Sequence, residues 1–414
     1  MRRARSCHAI SGLACWLLLC SLLPASAAQP ANDARNDTLF SLPTADPTAS
    51  LYTIPVAGAS DVPAIWPLAQ NTPRLYSVKR VGIEPQKETE GPPKWQWSLA
   101  TGYRQDDLSW NIGGNIFDNN PPDFDFQTYL PGLPTSLAGR YVNILSELAW
   151  TDVTIAQLEF GLQRRWDSNL HLEGQLGYGI VVDGKVQDSD YVGDNRTLEF
   201  SRSNNGADKG DVWDVSVALG YDFSFVSDML GITPLFGLSY HAQNFYMVDG
   251  VQTVSNYGWP TPLGPFAGLD SSYDADWFGP WTGADFSITI PRKGLAEPAH
   301  RFLIGFEWHF YFEYRARADW NLRSSFAHPV SFEHETDGGI WPFADDGGGW
   351  VFTGGYSWFI TPRWALDLRG KYQKWETDSG EDRTYFYDGT SGTTPLNKVK
   401  WDSFSTTIGI SCRW

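Results

Sequence analysis

The sequence predicts an all-β protein, a ten-stranded antiparallel transmembrane β-barrel with long extracellular loops and a flexible N-terminal extension. Long segments alternate large apolar residues with small or polar ones, and the connections between them are alternately long and short. The aromatic content of 15%, with 20 Trp, agrees with both observations. Outer-membrane barrels collect aromatic side chains at the two membrane interfaces.

The first 27 residues are predicted to be a signal peptide. Three arginines precede an apolar stretch from Leu13 to Leu23, and Ala25-Ser26-Ala27 offers the small residues that a signal peptidase accepts. The stretch is shorter than the roughly 20 apolar residues of a membrane-spanning helix. Its removal leaves Cys412 as the single cysteine, so we expect no internal disulfide in the mature chain.

Residues 28–93 are predicted to form a Pro- and Ala-rich periplasmic extension without a stable fold. Prolines recur from Pro43 to Pro73, where they remove backbone donors and prevent long strands or helices. No sustained apolar period supplies a core. This segment could contact peptidoglycan or a partner protein.

Strand periodicity begins at Lys94. The segment from Arg301 to Trp320 is the strongest case, with an aromatic face that includes Phe302 and Tyr314 and a charged face on the other side. A soluble sandwich also alternates, but its strands are typically about 5–6 residues long. Lipid outside and a polar lumen inside explain both the length and the aromatic face.

This periodicity gives ten strands, an even number as in bacterial single-chain barrels. The second is taken as one long strand because its even-numbered face keeps a single phase from Val142 through Trp150 to Leu162. The predicted strands are 95–104, 141–165, 169–181, 211–225, 232–247, 277–290, 300–320, 349–360, 363–376 and 399–414.

The connections predict the orientation in the outer membrane. Short turns of bacterial barrels face the periplasm and long loops face outside, which places both termini in the periplasm. The terminal Trp414 resembles the C-terminal signal that the barrel assembly machinery reads. A net charge of −17 excludes nucleic acid as a natural partner, because its phosphates would repel the chain.

A ten-stranded lumen is narrow, since eight strands are just filled by side chains and open pores need about 16. The sequence places polar residues there, and a salt-bridged plug is therefore expected rather than a diffusion pore. Function is then expected in the long loops. The predicted inward residues are Glu147, Glu159, Glu173, Asp285, Asp367, Arg369 and Lys371.

From residue 95 to 414 the chain resembles the omptins, ten-stranded outer-membrane endopeptidases with a very long second strand. Their Asp-x-Asp-aromatic motif is matched by Asp188-Ser189-Asp190-Tyr191, and their Asp-Glu-Ser-Arg by Glu199-Phe200-Ser201-Arg202. Thr361-Pro362 matches the start of the ninth strand. The resemblance implies an aspartic-type endopeptidase that cleaves near basic residues of peptide or protein substrates.

The resemblance also implies the catalytic residues Asp188, Asp190 and His334. In omptins an Asp-His pair on the opposite wall activates a water, the Asp orienting the imidazole that takes the proton. Here the matching segment reads Phe332-Glu333-His334, so a phenylalanine stands where the orienting Asp is expected. His328 is an alternative histidine, and Asp337 is an alternative orienting carboxylate.

No cofactor is predicted. Omptins bind lipopolysaccharide through Tyr-x-Glu-x-Arg, and the matching segment, Tyr240 to Asn244, keeps only Tyr240. Phosphates prefer Arg or Lys, so the specific lipopolysaccharide site is not carried over, and outer-membrane lipid remains the general partner. Histidine and cysteine spacings typical of metal sites are absent.

The missing Asp leaves a second hypothesis open: an inactive barrel of omptin type that acts in surface binding or adhesion. Aromatic residues of the predicted loops would then contact the partner. The candidates are Trp259, Phe266, Trp277 and Trp281.

Deletion of residues 30–90 after a retained signal is expected to leave a correctly inserted barrel, because the extension supplies no core. Heat-modifiable migration of the truncated protein on gels measures this directly. Failure of the truncated protein to assemble, or protease resistance of the isolated extension, would show instead that the segment is structural.

Overall fold

The computed structural model describes residues 94–116, 130–137, 139–226, 228–293, 297–339 and 347–414. The predicted signal peptide (1–27) and extension (28–93) lie outside the described residues. Within the described residues, no helix is long and apolar enough to cross a membrane.

The described chain is built almost wholly from antiparallel strands. The strands are β1 (Trp95–Asn115), β2 (Tyr141–Arg165), β3 (Leu170–Gly193), β4 (Thr197–Gly206), β5 (Gly210–Tyr221), β6 (Phe223–Phe225), β7 (Leu230–Ser255), β8 (Gly264–Pro265), β9 (Asp270–Pro291), β10 (Pro298–His309), β11 (Tyr311–Asp319), β12 (Phe332–Gly339), β13 (Gly348–Phe359), β14 (Trp364–Glu376), β15 (Gly380–Tyr385) and β16 (Ser391–Arg413). Two short 3-10 helices span Thr135–Leu137 and Asp194–Arg196.

Ten strands close into a ring, which confirms the predicted fold class. The order is β1, β2, β3, β5, β7, β9, β10, β13, β14 and β16, and β16 pairs back with β1. Large apolar side chains, among them Leu158, Ile304, Leu368 and Ile408, point outward and are exposed. We call this outward ring of apolar side chains the apolar band, and it suits contact with lipid.

The segments predicted to be long loops are largely strand, and in this respect the sequence prediction is wrong. β4, β12 and β15 lie in these segments and continue the ring beyond the apolar band. The order there is β1, β2, β3, β4, β7, β9, β11, β12, β15 and β16. We call this side the long-hairpin end and the opposite side the short-turn end.

β2 is one long strand, as predicted, but its even-numbered residues do not share one face. Leu158 is 51% exposed and points outward, whereas Leu148 and Trp150 are buried inside the barrel. The pairing of β2 with β3 shifts beyond Thr151, and Asp152 has a φ of 55°. Such a bulge inserts an extra residue and exchanges the two faces of a strand.

The same exchange moves one predicted lumen residue to the outside. Leu148 points inward, so its neighbour Glu147 points outward, where Arg196 pairs with its carboxylate. The prediction that Glu147 faces the lumen is therefore wrong.

The predicted strand 300–320 is two strands that meet at Phe310. Ile304 on β10 points outward, but Phe312 and Tyr314 on β11 are fully buried. The continuous aromatic face predicted from the sequence is thus split between lipid and the barrel interior. Arg315 and Arg317 consequently lie on the outside, exposed beside the charged residues of β12.

These two face exchanges have one physical meaning. Within the apolar band, apolar residues point outward and polar residues point inward. Beyond it, aqueous solvent replaces lipid, so apolar residues point inward and polar residues outward. The interior at the long-hairpin end is therefore an aromatic core that includes Trp110, Trp150, Tyr273 and Phe332.

A buried ion-pair network lies where the aromatic core meets the polar lumen. Arg104 is 2% exposed and donates to both carboxylate oxygens of Asp106 at 2.7 and 2.6 Å and to Asp214 at 2.6 Å. Asp214 also contacts His241 Nδ1 at 2.6 Å. The Trp401 ring lies 5.4 Å from the Arg104 guanidinium. These side chains come from β1, β5, β7 and β16 and meet inside the ring.

The lumen on the short-turn side of this network is polar, in line with the predicted plug. Ser357 donates to Asp367 at 2.5 Å, and Gln175 donates to Glu159 at 3.4 Å. A cavity of about 80 Å³, lined among other residues by Glu173 and Asp285, remains there. Such a volume holds a few waters and does not make a diffusion pore.

Replacement of Arg104 by Met is expected to destabilise the folded barrel by about 3–5 kcal/mol, because it leaves two carboxylates buried without their cation. Unfolding by urea in lipid vesicles measures the change. Arg315→Met is the matched control: its ion pairs are exposed and worth at most about 1 kcal/mol. Equal stabilities of the two variants would contradict the assigned role of Arg104.

Candidate functional site

His334 lies on β12 inside the aromatic core and is 1% exposed. Its Nε2 is 3.0 Å from Asp382 Oδ1, and its Nδ1 is 2.8 Å from Tyr273 Oη. Asp382, on the neighbouring β15, thus supplies the orienting carboxylate that was expected at position 332, where the chain has Phe332. Both ring nitrogens have a protein partner in this arrangement, and neither is left to hold a water.

The His334 contacts extend into a buried chain of hydrogen bonds. Thr394 donates to Asp382 at 2.7 Å, and Tyr273 shares a 2.6 Å hydrogen bond with Tyr314. Burial raises the pKa of Tyr273 well above its usual value, so its hydroxyl stays protonated. The rings of Trp110 and Phe332 pack against the imidazole at centroid distances of 4.7 and 5.1 Å.

Asp337 and His328 are the alternative residues that the sequence suggested for the β12 wall. Asp337 lies three residues after His334 on β12. Because adjacent positions of a strand alternate faces, its side chain points to the other face of β12. Asp382 is therefore the carboxylate that orients His334. His328, in the connection from β11 to β12, is 40% exposed and contacts Asp319 Oδ1 at 2.6 Å. It forms a second Asp-His pair, more accessible than the first.

Asp188 and Asp190 lie on β3, beyond the apolar band. Val186 points into the interior and is 1% exposed, so the two carboxylates, at alternate positions after it, point inward as well. Asp188 pairs in register with Leu148 on one side and Ser203 on the other.

The electrostatics of the carboxylate pair keep Asp188 partly protonated near neutral pH. Burial and the adjacent charge of Asp190 raise the pKa of Asp188 to about 7. Burial also raises the pKa of Asp190, against hydrogen bonds from Ser146 and Ser201 that lower it. Two neighbouring carboxyls in a desolvated site resist simultaneous ionisation.

Arg323 is the cation that acts on this pair, and the sequence did not point to it. It belongs to the β11–β12 connection, and its positive charge lowers the pKa of both aspartates. Its guanidinium lies 5.4 Å from the centroid of the Trp259 ring, which packs at 5.0 Å against Phe200. Phe200 precedes Ser201, the register partner of Asp190.

The structure therefore places the predicted residues on opposite walls without joining them. β3 and β12 are five positions apart in the ten-strand ring at the long-hairpin end. In the described chain, no hydrogen bond or ion pair links His334 to Asp188 or Asp190; the partners of the histidine are Asp382 and Tyr273.

The structure also corrects the prediction that two of the candidate binding tryptophans lie in loops. Trp277 and Trp281 are not loop residues but lie in β9, buried inside the barrel. Tyr240 points outward and donates to Asp276. Within the described residues, no group of three or more His, Cys, Asp or Glu side chains is arranged to hold a metal ion.

The sequence matches a family model of outer-membrane proteins. The sequence model described as "Pom: Protochlamydia outer membrane protein" matches residues 98–414, nearly the whole barrel. The chain belongs to this Pom family. It is therefore an outer-membrane β-barrel protein. No curated protein matches the sequence.

Among solved structures, this Pom-family barrel is similar to the outer membrane protease OmpT from Escherichia coli. The two are 12% identical over 78% of this chain and 98% of OmpT, with a TM-score of 0.56. OprG from Pseudomonas aeruginosa matches at 8% identity over 78% of this chain and 98% of its own, with a TM-score of 0.27. The OmpT likeness supports the omptin resemblance at the level of fold alone.

The carboxylate pair gives a titration test with two opposite shifts. Asp190→Asn is expected to lower the pKa of Asp188 from about 7, because it removes a neighbouring negative charge. Arg323→Gln is expected to raise it, because it removes a positive one. Carbon-13 NMR of labelled aspartate carboxyls measures both. An Asp188 that titrates near 4 in the unaltered protein would contradict the assigned environment.

Proposed function

We propose that this protein is a surface-binding barrel that captures cationic groups of peptides or proteins at its long-hairpin end without hydrolysing them. The main support for this proposal is the pair Asp188 and Asp190, two inward-pointing carboxylates with raised pKa at the edge of the aromatic core. The proposal takes the long-hairpin end as extracellular and both termini as periplasmic, in keeping with bacterial barrels.

The chemistry of the pair supports cation binding. A cationic group that approaches Asp188 and Asp190 displaces the proton of Asp188 and meets two negative charges in a partly desolvated site, where Coulomb attraction is stronger than in water. A cationic ligand would compete with Arg323, whose guanidinium lies over the Trp259 ring and whose charge already acts on the pair. Aromatic faces attract ammonium and guanidinium groups.

The proposal excludes hydrolysis because of the way His334 is held in the core. A general base needs a ring nitrogen within hydrogen-bond reach of the attacking water. Here Tyr273 and Asp382 hold both nitrogens, and Trp110 and Phe332 cover the ring. Water activation would require Tyr273 to leave Nδ1 and the core to open.

Endopeptidase activity is the second candidate function, and Asp382 is the observation that favours it. Its contact with His334 restores an Asp-His pair on the wall opposite Asp188 and Asp190. The folded protein, with and without lipopolysaccharide, is to be incubated with dibasic peptides and the products analysed by mass spectrometry. Cleavage that disappears in both His334→Ala and Asp188→Ala would establish hydrolysis and overturn the binding-only proposal.

Binding of a dibasic peptide is expected to be tighter at pH 8 than at pH 6, because a carboxyl with a pKa of about 7 is ionised only at the higher pH. The double variant Asp188→Asn/Asp190→Asn is expected to lose this pH dependence and to bind at least about tenfold more weakly, as loss of charge-assisted hydrogen bonds implies. Isothermal titration calorimetry on the barrel in micelles measures both.

Asp208→Asn is the matched control, since it removes an exposed carboxylate between β4 and β5. It is expected to bind as the unaltered protein does. Equal weakening by the control would mean that net charge, and not the pair, attracts the peptide. Retained binding in the double variant would exclude Asp188 and Asp190 as the site.

A further inference from the structure

The short-turn end carries basic side chains at two places of the ring, four strands apart, although the chain as a whole has a net charge of −17. Arg164 lies at the end of β2, and Arg292 and Lys293 lie in the turn after β9. We call Arg164, Arg292 and Lys293 the basic arc.

The members of the basic arc are not neutralised by the protein. No carboxylate lies within ion-pair distance of Arg164, Arg292 or Lys293 among the described residues, and Lys293 is exposed. Arg292 instead donates to the backbone carbonyls of Phe359 at 2.9 Å and Ile360 at 3.4 Å. These neutral contacts position a guanidinium and leave its charge uncompensated.

Acidic residues at the same end are largely occupied by other cations. Asp167 pairs with Lys94 at 2.8 Å, and Asp222 pairs with Arg165 at 3.1 Å. Glu297 and Asp228 are the remaining acidic side chains of the described turns. The basic arc therefore presents a positive charge to whatever lies beside it.

Tryptophan rings place Arg164 at the edge of the membrane. The Arg164 guanidinium is 4.7 Å from the ring centroids of both Trp95 and Trp166, and Trp95 stacks on Trp414. Trp364 and Trp414 are 42% and 52% exposed. Exposed tryptophans at the end of an apolar band mark the level of the lipid headgroups.

We propose that the basic arc binds the phosphate groups of anionic phospholipids in the leaflet that surrounds the short-turn end. Guanidinium groups pair with phosphate through two parallel hydrogen bonds, and lysine adds a point charge. The rings of Trp95 and Trp166 hold Arg164 beside the headgroup region. The assignment of this leaflet to the periplasmic side rests on the orientation proposed above; the binding itself does not.

Native mass spectrometry of the purified barrel, titrated with phosphatidylglycerol or phosphatidylcholine, tests the proposal. The unaltered protein is expected to retain phosphatidylglycerol in preference to phosphatidylcholine. The triple variant Arg164→Gln/Arg292→Gln/Lys293→Gln is expected to bind phosphatidylglycerol at least about tenfold more weakly. Each cation near an anionic lipid surface contributes to the free energy of binding. Heat-modifiable migration verifies that the variants are folded.

The control Lys185→Gln/Arg315→Gln/Arg317→Gln removes three exposed cations from the long-hairpin end and is expected to retain phosphatidylglycerol. Inorganic phosphate at millimolar concentration is expected not to displace the lipid, because it lacks the acyl chains that contact the apolar band. Displacement by free phosphate, equal loss in the control, or no loss in the folded triple variant would each overturn the proposal.

Discussion

The change of solvent along the barrel axis is the constraint on which the rest of the structure depends. The same ring of strands meets lipid at one level and water at the next, so the side of each strand that must be apolar changes. β2 makes the change through its bulge at Asp152, and the chain from β10 to β11 makes it at Phe310. β1 keeps its even-numbered residues inward throughout, and these change from Arg104 and Asp106 to Leu108 and Trp110.

The location of the candidate site follows from that change. Because the interior turns aromatic beyond the apolar band, a histidine on β12 is enclosed by rings and satisfied by Tyr273 and Asp382. Asp188 and Asp190 lie on the opposite wall, where seryl groups and Arg323 surround them. The predicted residues therefore lie on two opposite walls of the ring, and the packing on the β12 wall gives both nitrogens of His334 a protein partner.

The sequence predicted the ring well because period-two alternation over ten long segments has few other solutions. The sequence prediction failed where one extra residue exchanges the two faces of a strand. An alternation count cannot distinguish a strand that continues from one that bulges. Asp382 was missed for another reason: β12 and β15 pair across 48 residues of sequence, and segment 377–398 reads as a polar loop. Arg323 carried no sequence signal, because its role depends on a fold that brings its connection beside β3 and β4.

Spin-label accessibility tests the inversion of polarity most directly. Nitroxide labels at Leu158 and Ile304 in the apolar band should be relaxed by oxygen, which concentrates in lipid, and labels at Glu147 and Arg317 by a water-soluble nickel complex. Labels at Leu148 and Phe312 should be protected from both reagents. Oxygen accessibility at Leu148 or Phe312 equal to that at Leu158 would show that these strands keep one face to the lipid, and it would contradict the account.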